Sequence, residues 1–124
     1  MAHLIRSHQM RGLTIQNSEL SNGWRCIVVE GEVDLATVEE LETAIEAVFS
    51  SNSDPLVVDL RSSSFMDSTG LKALVMAHRR FDESGRLFAV AVSGGPISRL
   101  IDLTGVDSSV RVVASTDDLE SHPG

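Results

Sequence analysis

The sequence predicts a single α/β domain whose sheet is mixed, mostly parallel, and begins with a β-hairpin. Three observations support this fold class. Short apolar runs rich in β-branched residues alternate with stretches whose apolar residues recur at helical spacing, the pattern of successive β/α units. An Asn-Gly pair separates the first two runs, as in a hairpin. The length of 124 residues, 42% of them hydrophobic and 23% charged, suits one core and is too short for two ordinary ones.

The chain opens with a polar leader, residues 1–12, which has no strand or helix periodicity. Strands are predicted over residues 13–18 and 24–30, and Asn22-Gly23 supplies the turn that pairs them. Residues 31–34 are predicted as a loop.

The first helix is predicted where Val38, Leu41, Ile45 and Val48 recur at helical spacing, and residues 50–55 break it.

The same order of elements then repeats. Residues 56–60 are almost entirely apolar, which is typical of a central strand covered on both faces. A polar link, residues 61–64, leads to a second helix that begins near Ser68 and ends near Gly85. Residues 87–92 form the next buried strand.

A third helix is predicted to end near Gly105, followed by a short strand at residues 110–113. Residues 115–117 are suited to capping a brief final helix. With no internal repeat and no linker, the prediction is one domain over residues 13–120 and a tail at residues 121–124.

Composition limits the class of function. Ten Lys and Arg stand against eighteen Asp and Glu, a net charge of −8, which argues against a nucleic-acid binder and against an anionic membrane surface as partner. No apolar run is long enough to span a bilayer, and the N-terminus lacks the apolar centre of a secretion signal. A reduced, cytoplasmic protein is expected.

Metal and disulfide sites are not expected either. The single cysteine, Cys26, excludes an internal disulfide and a four-cysteine zinc site. His3, His8 and His122 lie near the termini without ligand spacing between them.

The acidic residues are unevenly distributed. Between Arg25 and Arg61 there is no basic residue, and that stretch holds half of the acids. They form either a solvated face or a docking surface for a basic partner, and the sequence leaves both open. These acids are Glu30, Glu32, Asp34, Glu39, Glu40, Glu42, Glu46, Asp54 and Asp59.

Ser68 is the hydroxyl of most interest because it stands where the second helix begins. Free backbone N–H groups and the positive end of the helix dipole favour an anion there, including a phosphate. The alternative is a simple N-cap serine.

Catalytic arrangements find little support. The segment around Ser68 lacks the first glycine of a nucleophile elbow. His78 falls on the apolar stripe of its helix and is interpreted as a packed or half-buried side chain rather than a general base. No glycine-rich phosphate-binding fingerprint is present.

Asp59, at the end of the central strand, is placed like the phospho-acceptor of a response-regulator receiver domain. Phosphoryl transfer to such an aspartate needs an acidic pair that holds a divalent ion, and neither early strand ends in one. The only lysine, Lys72, lies within a helix rather than after a late strand.

Three blocks of sequence together identify a family resemblance. Val57-Val58-Asp59-Leu60, followed by Ser64-Phe65-Met66-Asp67-Ser68-Thr69-Gly70-Leu71, resembles the signature of STAS domains, specifically the bacterial anti-sigma factor antagonists. Residues 31–34 and 99–106 supply the other two blocks, in family order and spacing. The resemblance spans residues 13–114 and implies the STAS fold, a β-hairpin followed by β/α units with helices packed mainly on one side of the sheet.

The resemblance implies regulation rather than catalysis, and no cofactor. Family members bind an anti-sigma factor, usually a serine kinase of the histidine-kinase-like ATPase fold, and so release its sigma factor. The kinase phosphorylates the first serine of D-S-[ST]-G, here Ser68, which ends binding, and a PP2C-type phosphatase removes the phosphate. A weak homodimer is left open.

The partner is expected to be contacted by six residues around the acceptor. Thr69 is expected to donate a further hydrogen bond, and Gly70 to allow close approach of another backbone. Lys72 stands where many relatives have a small residue, and is expected to influence which partner is accepted. Phe65 and Met66 are interpreted as core anchors. The six contact residues are Asp34, Asp67, Ser68, Thr69, Gly70 and Lys72.

Two alternatives remain at the level of sequence. One is a STAS subunit of a multi-protein signalling complex or of a lipid transporter. The other is a small nucleotide-binding or hydrolytic α/β enzyme, disfavoured because no base adjoins Ser68.

Overall fold

A computed structural model describes residues 12–122. Over this range the chain forms six strands, three α-helices and two short 3₁₀ turns. In chain order the strands and helices are β1 (Thr14–Glu19), β2 (Arg25–Val33), α1 (Val38–Ser51), β3 (Leu56–Asp59), β4 (Ser63–Met66), α2 (Ser68–Glu83), β5 (Phe88–Ala91), α3 (Gly95–Thr104) and β6 (Arg111–Val113). The 3₁₀ turns are Val106–Ser108 and Thr116–Asp118.

The strands form one sheet in the order β1-β2-β3-β5-β6, and β4 pairs with the far half of β2. β1 and β2 are antiparallel, and every other pair is parallel. At the centre, Ile27 is in register with Val58, which is in register with Val90. The predicted α/β class, with its hairpin and mostly parallel sheet, is confirmed.

All three helices cover the same face of the sheet. Alternate strand residues such as Ile27 and Val58 point into a core with Leu41 of α1, Leu74 of α2 and Ile97 of α3. β3 is buried at all four positions, as its apolar sequence predicts. The packing of helices on one side of the sheet, implied by the resemblance, is therefore confirmed.

The second face carries no helix in the described part of the chain. Its small core consists of Trp24, Cys26, Val57 and neighbouring alanines, and Leu119 closes it. The indole Nε1 of Trp24 donates to the carbonyl of Glu120 at 2.8 Å. The segment after β6 thus crosses this face and seals it.

Two predictions about β2 and its neighbour were wrong. Residues 31–33 continue β2 rather than form a loop, and part of the supposed polar link, from Ser63, begins strand β4. The ladder shifts between Gly31 and Glu32, where Gly31 has φ +112°, a conformation that suits glycine. Sequence periodicity missed β4 because its serines carry no apolar alternation and the strand depends on pairing with β2.

The paired ends of β2 and β4 lead directly into the segments that begin α1 and α2. The structure therefore places the Asp34 loop and the Ser68 loop side by side at one edge of the sheet. Most of the predicted leader, residues 1–11, and the last two residues of the tail lie outside the described residues, and the predicted domain limits stay a prediction.

Candidate functional site

The loop between β2 and α1 is organised by Asp34. Its Oδ1 accepts from the backbone N–H groups of Ala36 at 3.0 Å and Thr37 at 3.2 Å. The Thr37 hydroxyl donates to the carbonyl of Glu32 at 2.7 Å and accepts from the Asp34 N–H at 3.0 Å. This is the local side-chain-to-backbone bonding that favours Asp in turns. The Asp34 carboxylate therefore fixes the loop from within the chain.

The N-terminus of α2 is capped by Asp67. Its Oδ1 accepts from the N–H groups of Thr69 at 2.9 Å and Gly70 at 3.3 Å, and from the Thr69 hydroxyl. Ser68 is the first helical residue, so the N-cap interpretation of Ser68 was wrong. A sequence with two capping residues in succession does not reveal which one caps, because both are favoured.

These bonds favour the ionised form of Asp67. The Thr69 hydroxyl, together with the backbone N–H groups of Gly70, Thr69 and Leu35, lowers the pKa of the Asp67 carboxyl below its usual value. The Leu35 contribution comes from the Asp34 loop. The Asp67 N–H also donates to the carbonyl of Val33 at 3.0 Å, so the two loops are joined at Asp67.

The Ser68 hydroxyl is exposed and makes no hydrogen bond to any part of the chain that the structure describes. The donors expected to favour an anion at this helix end are largely occupied, because Asp67 takes the N–H groups of Thr69 and Gly70. A phosphate on Ser68 would therefore project from the surface beside a carboxylate instead of being enclosed by backbone donors.

Gly70 lies beneath the exposed serine. A Cβ at this position would lie 2.6 Å from Cγ of Met66 and 2.9 Å from Cγ1 of Val33, so the absence of a side chain lets α2 pack onto β2 and β4. Gly70 is buried by its own chain, and its contact with a partner stays a prediction.

Several side chains remain exposed around the acceptor. Lys72 is exposed one turn after Ser68, on the same side of α2. Leu35 is 78% exposed, an unusual degree for a large apolar side chain that follows a buried strand. We call Asp34, Leu35, Asp67, Ser68 and Lys72 the Ser68 surface.

Phe65 was wrongly interpreted as a core anchor, whereas Met66 was interpreted correctly. Met66 is buried in the main core, but Phe65 is 43% exposed. Successive residues of a strand point to opposite faces, so the recognition of β4 as a strand would have separated the two.

Comparison with known proteins gives this geometry its context. The family model described as the STAS domain matches residues 16–119.

This chain belongs to the STAS domain family.

Its relatives include proteins named as anti-sigma factor antagonists. The anti-sigma-F factor antagonist RsfB of Mycobacterium tuberculosis is 35% identical over 97 residues, which cover 78% of this chain and 79% of that protein. The anti-sigma-B factor antagonist of Staphylococcus aureus is 29% identical over 91 residues, covering 73% and 84%. A crystal structure of an anti-sigma factor antagonist from Mycobacterium paratuberculosis superposes with a TM-score of 0.77 at 32% identity, covering 86% of this chain and 89% of that one.

Asp59, which raised the receiver-domain alternative, has a different role in this STAS domain. It is 6% exposed, and both of its carboxylate oxygens accept from the Arg61 guanidinium, at 2.9 and 2.8 Å. Burial alone would raise the pKa of Asp59, but these bonds and the charge of Arg61 lower it. Asp59 is the acid of an ion pair on the second face of the sheet.

Two other groups with potential chemistry are packed. His78 is half-buried, with its ring edge-on to Phe88 at 6.3 Å between centroids, which confirms the packed or half-buried interpretation. Cys26 is 2% exposed, and burial followed by the charge of Asp59 raises the pKa of its thiol to about 11. A thiol that is buried and protonated is a poor nucleophile.

Within residues 12–122, no group of three or more His, Cys, Asp or Glu side chains is placed to hold a metal ion. No helix in this range has the length and apolar character needed to cross a membrane.

Sequence reasoning missed Leu35 as part of the Ser68 surface. The available signal was an isolated leucine directly after the 31–34 block, in a segment otherwise lacking large apolar residues before α1. Its exposure depends on how the Asp34 turn directs the chain, which is not visible in the sequence.

Proposed function

We propose that this STAS protein is an anti-sigma factor antagonist that binds its anti-sigma factor through the Ser68 surface and thereby releases a sigma factor. The observation that carries the proposal is the exposed Ser68 hydroxyl at the start of α2, next to the ionised cap Asp67. The family and the names of its relatives support the same class of function. The cytoplasmic location expected from the sequence follows from this role and stays a prediction.

The partner we propose is an anti-sigma factor that is also a serine kinase of the histidine-kinase-like ATPase fold. It would transfer a phosphoryl group from ATP to Ser68. A bond forms between Ser68 Oγ and the γ-phosphorus, the bond from that phosphorus to the β-phosphate oxygen breaks, and ADP leaves. The hydroxyl proton passes to a base of the kinase. A PP2C-type phosphatase would return the serine by hydrolysis.

Phosphorylation would act locally on the interface. It adds about −1.5 to −2 charges and three acceptor oxygens. Because Asp67 already occupies the first-turn donors, the new charge must be accommodated by the partner, by solvent or by Lys72. Repulsion and desolvation amounting to about 3 kcal/mol would weaken binding by about a hundredfold.

The other residues of the surface have distinct tasks in this proposal. Asp34 holds the β2–α1 loop in shape, because its carboxylate bonds within the chain. Leu35 offers the partner an apolar anchor. Lys72 is the exposed cation on the same side of α2 as Ser68, so it influences which anti-sigma factor is accepted.

In this role the protein is a substrate of phosphorylation rather than a catalyst. The Asp67 carboxylate is engaged as a helix cap, and the packed His78 lies more than two turns along α2 from Ser68. The alternative of a small hydrolase is not supported, because neither of these side chains is placed to act as a base for Ser68. A homodimer stays a prediction.

The test is to incubate the protein with each kinase-type anti-sigma factor of the same genome and ATP, and to measure intact mass and the modified site. One phosphate on Ser68 is expected with the cognate partner. Ser68→Ala should remove it, and Ser62→Ala, which deletes an exposed hydroxyl outside the six expected contact residues, is the matched control that should retain it. Phosphate on another residue, or neither binding nor phosphorylation with any candidate, would contradict the proposal.

A further inference from the structure

A groove of about 1000 Å³ runs between α1 and α2. It is separate from the start of α2, where Ser68 lies. Its apolar lining includes Ile45 and Phe49 of α1 and Met76 of α2. Met76 is 51% exposed, although it lies between two helices. The groove thus presents apolar surface that the described residues do not cover.

The α1 side of this groove is acidic. Glu39, Glu42 and Glu46 line it, and α1 contains no Lys or Arg. Glu46 is paired with Arg80 of α2, whose guanidinium lies 4.2 Å from the Phe49 ring centroid. Glu39 and Glu42 make no ion pair within residues 12–122. Arg79, Arg80 and Glu83 line the α2 side, so it is the α1 side of the groove that suits a ligand carrying both apolar groups and positive charge.

The chain itself contains such a segment. Residues 1–11 include Arg6 and Arg11 and no acid, together with the apolar residues Leu4, Ile5 and Met10. They lie outside the described residues and also outside the part matched by the STAS family model. Their composition is complementary to the groove in charge and in apolar character.

The described chain begins beside α1, where this segment joins it. The N–H of Leu13 donates to Glu40 Oε1 at 2.9 Å, and a Cβ on Gly12 would lie 2.8 Å from Glu40 Oε2. A second cavity of about 400 Å³ lies here and shares Glu39 and Thr43 with the groove. The two cavities are therefore neighbours along α1, and the second is lined by Leu13, the residue after Gly12.

The segment formed by residues 1–11 is also long enough to extend along the whole of α1. Eleven extended residues reach about 36 Å, whereas the 14 residues of α1 span about 21 Å.

We propose that residues 1–11 bind in the groove between α1 and α2 of the same chain, with Arg6 and Arg11 towards Glu39 and Glu42 and the apolar residues over Met76. Exposed ion pairs contribute little individually and are screened by salt, so occupancy depends on the apolar contact and the charges together. This proposal does not depend on the phosphorylation of Ser68.

The test uses the full chain with Ser7→Cys carrying a nitroxide label. Cys26 does not compete for the label, because it is buried and the pKa of its thiol is raised to about 11. Each labelled chain carries the NMR isotope and is diluted with unlabelled, isotope-free protein, so that broadening reports contact within one chain. We expect loss of the Thr43 amide and Met76 methyl signals, while signals of α3 and β6 remain.

Charge reversal supplies the matched controls. Glu39→Lys with Glu42→Lys should restore the groove signals, and adding Arg6→Glu with Arg11→Glu should remove them again. Asp102→Lys with Asp107→Lys makes the same charge change on and just after α3, where both residues are exposed, and should leave the broadening intact.

Three outcomes would overturn the proposal. The first is uniform broadening over the whole surface, or none in the groove. The second is groove broadening that survives the Glu39 and Glu42 reversal in a variant whose core signals are unchanged. The third is broadening found only when labelled and isotope-enriched chains are different molecules, which would indicate a second copy as the occupant.

Discussion

The backbone N–H of Asp67 donates to the carbonyl of Val33 at 3.0 Å, and this bond ties the start of α2 to the end of β2. The relationship holds the Asp34 loop against the Ser68 loop, although the two are more than thirty positions apart in the sequence. A protein bound to the exposed serine would therefore meet both loops together, and changes on either loop should affect the same binding event.

Ser68→Asp should lower affinity for the cognate anti-sigma factor by about 10- to 100-fold, that is by about 1.4 to 2.8 kcal/mol. Ser68→Ala should change it by less than about threefold, because the hydroxyl makes no bond to the described chain. Calorimetric titration of the two proteins measures both. Ser53→Asp, an exposed change in the link between α1 and β3, is the matched control. Equal losses for Ser53→Asp and Ser68→Asp would indicate a general effect of charge.

Leu35→Ala should weaken the same complex by about tenfold while leaving stability almost unchanged, because a 78% exposed side chain contributes little to the core but can fill a pocket of a partner. Leu103→Ala is a close match for exposure, at 80%, and lies on α3. Surface plasmon resonance with both variants separates a specific anchor from general stickiness. If Leu103→Ala costs as much affinity, Leu35 has no special place in the interface.

Gly70→Ala should lower the free energy of unfolding by about 1 to 2 kcal/mol. Alanine favours a helix by up to about 1 kcal/mol over glycine. The new Cβ would nevertheless lie 2.6 Å from Met66 Cγ. The shifts needed to accommodate this overpacking in a buried position cost more free energy than the helix propensity of alanine provides. Urea denaturation measures the change. Adding Met66→Ala should recover part of the loss relative to the sum of the single variants, and a stabilised Gly70→Ala protein would contradict the packing described.

Cys26 should make stability fall in alkaline solution. Its pKa is about 11 in the folded chain against 9.0 for an ordinary thiol, so the unfolded chain loses its proton first. This stabilising contribution is complete below pH 9 and is lost as pH rises, so that by pH 11 the free energy of unfolding has fallen by about 2 kcal/mol. The chain has no tyrosine and one lysine, so few other side chains have ordinary pKa values in this window.

The measurement is urea denaturation between pH 8 and 11 on the wild type and Cys26→Ala. Cys26→Ala should be less stable at pH 8 because it loses the buried sulfur, but its free energy of unfolding should fall less steeply as pH rises. Parallel curves for the two proteins would show that the slope has another origin.

The elements found from sequence were those in which local pattern and tertiary role agree. The helical spacing of Val38, Leu41, Ile45 and Val48 predicted α1, and the unbroken apolar run predicted the central strand β3. In each case the residues that face the core are sufficient to specify the element.

β4 and the end of β2 show where that agreement fails. Ser63 and Ser64 have no pattern of their own and become a strand because β2 offers them a free edge. The inward direction of Met66 and the outward direction of Phe65 follow only once that pairing is known.

The candidate site follows the same division. The motif around Ser68 was recognisable from sequence, but the occupation of the helix-end donors by Asp67 was not. The acidic block is likewise divided by the fold, since Glu40 and Glu46 bond to Leu13 and Arg80 while Glu39 and Glu42 do not form ion pairs in the described part of the chain.

The segment that crosses the second face of the sheet covers a tryptophan whose fluorescence can report on the position of that segment. Trp24 is the only tryptophan and is fully buried. The segment covers it, and the indole N–H donates to the carbonyl of Glu120. The His122 N–H donates to the carbonyl of Asn22 beside it, which fastens the segment to the hairpin turn. Fluorescence emission from this one indole therefore reports whether the segment lies in place on the second face. It does so independently of events at Ser68, whose helix packs on the opposite face.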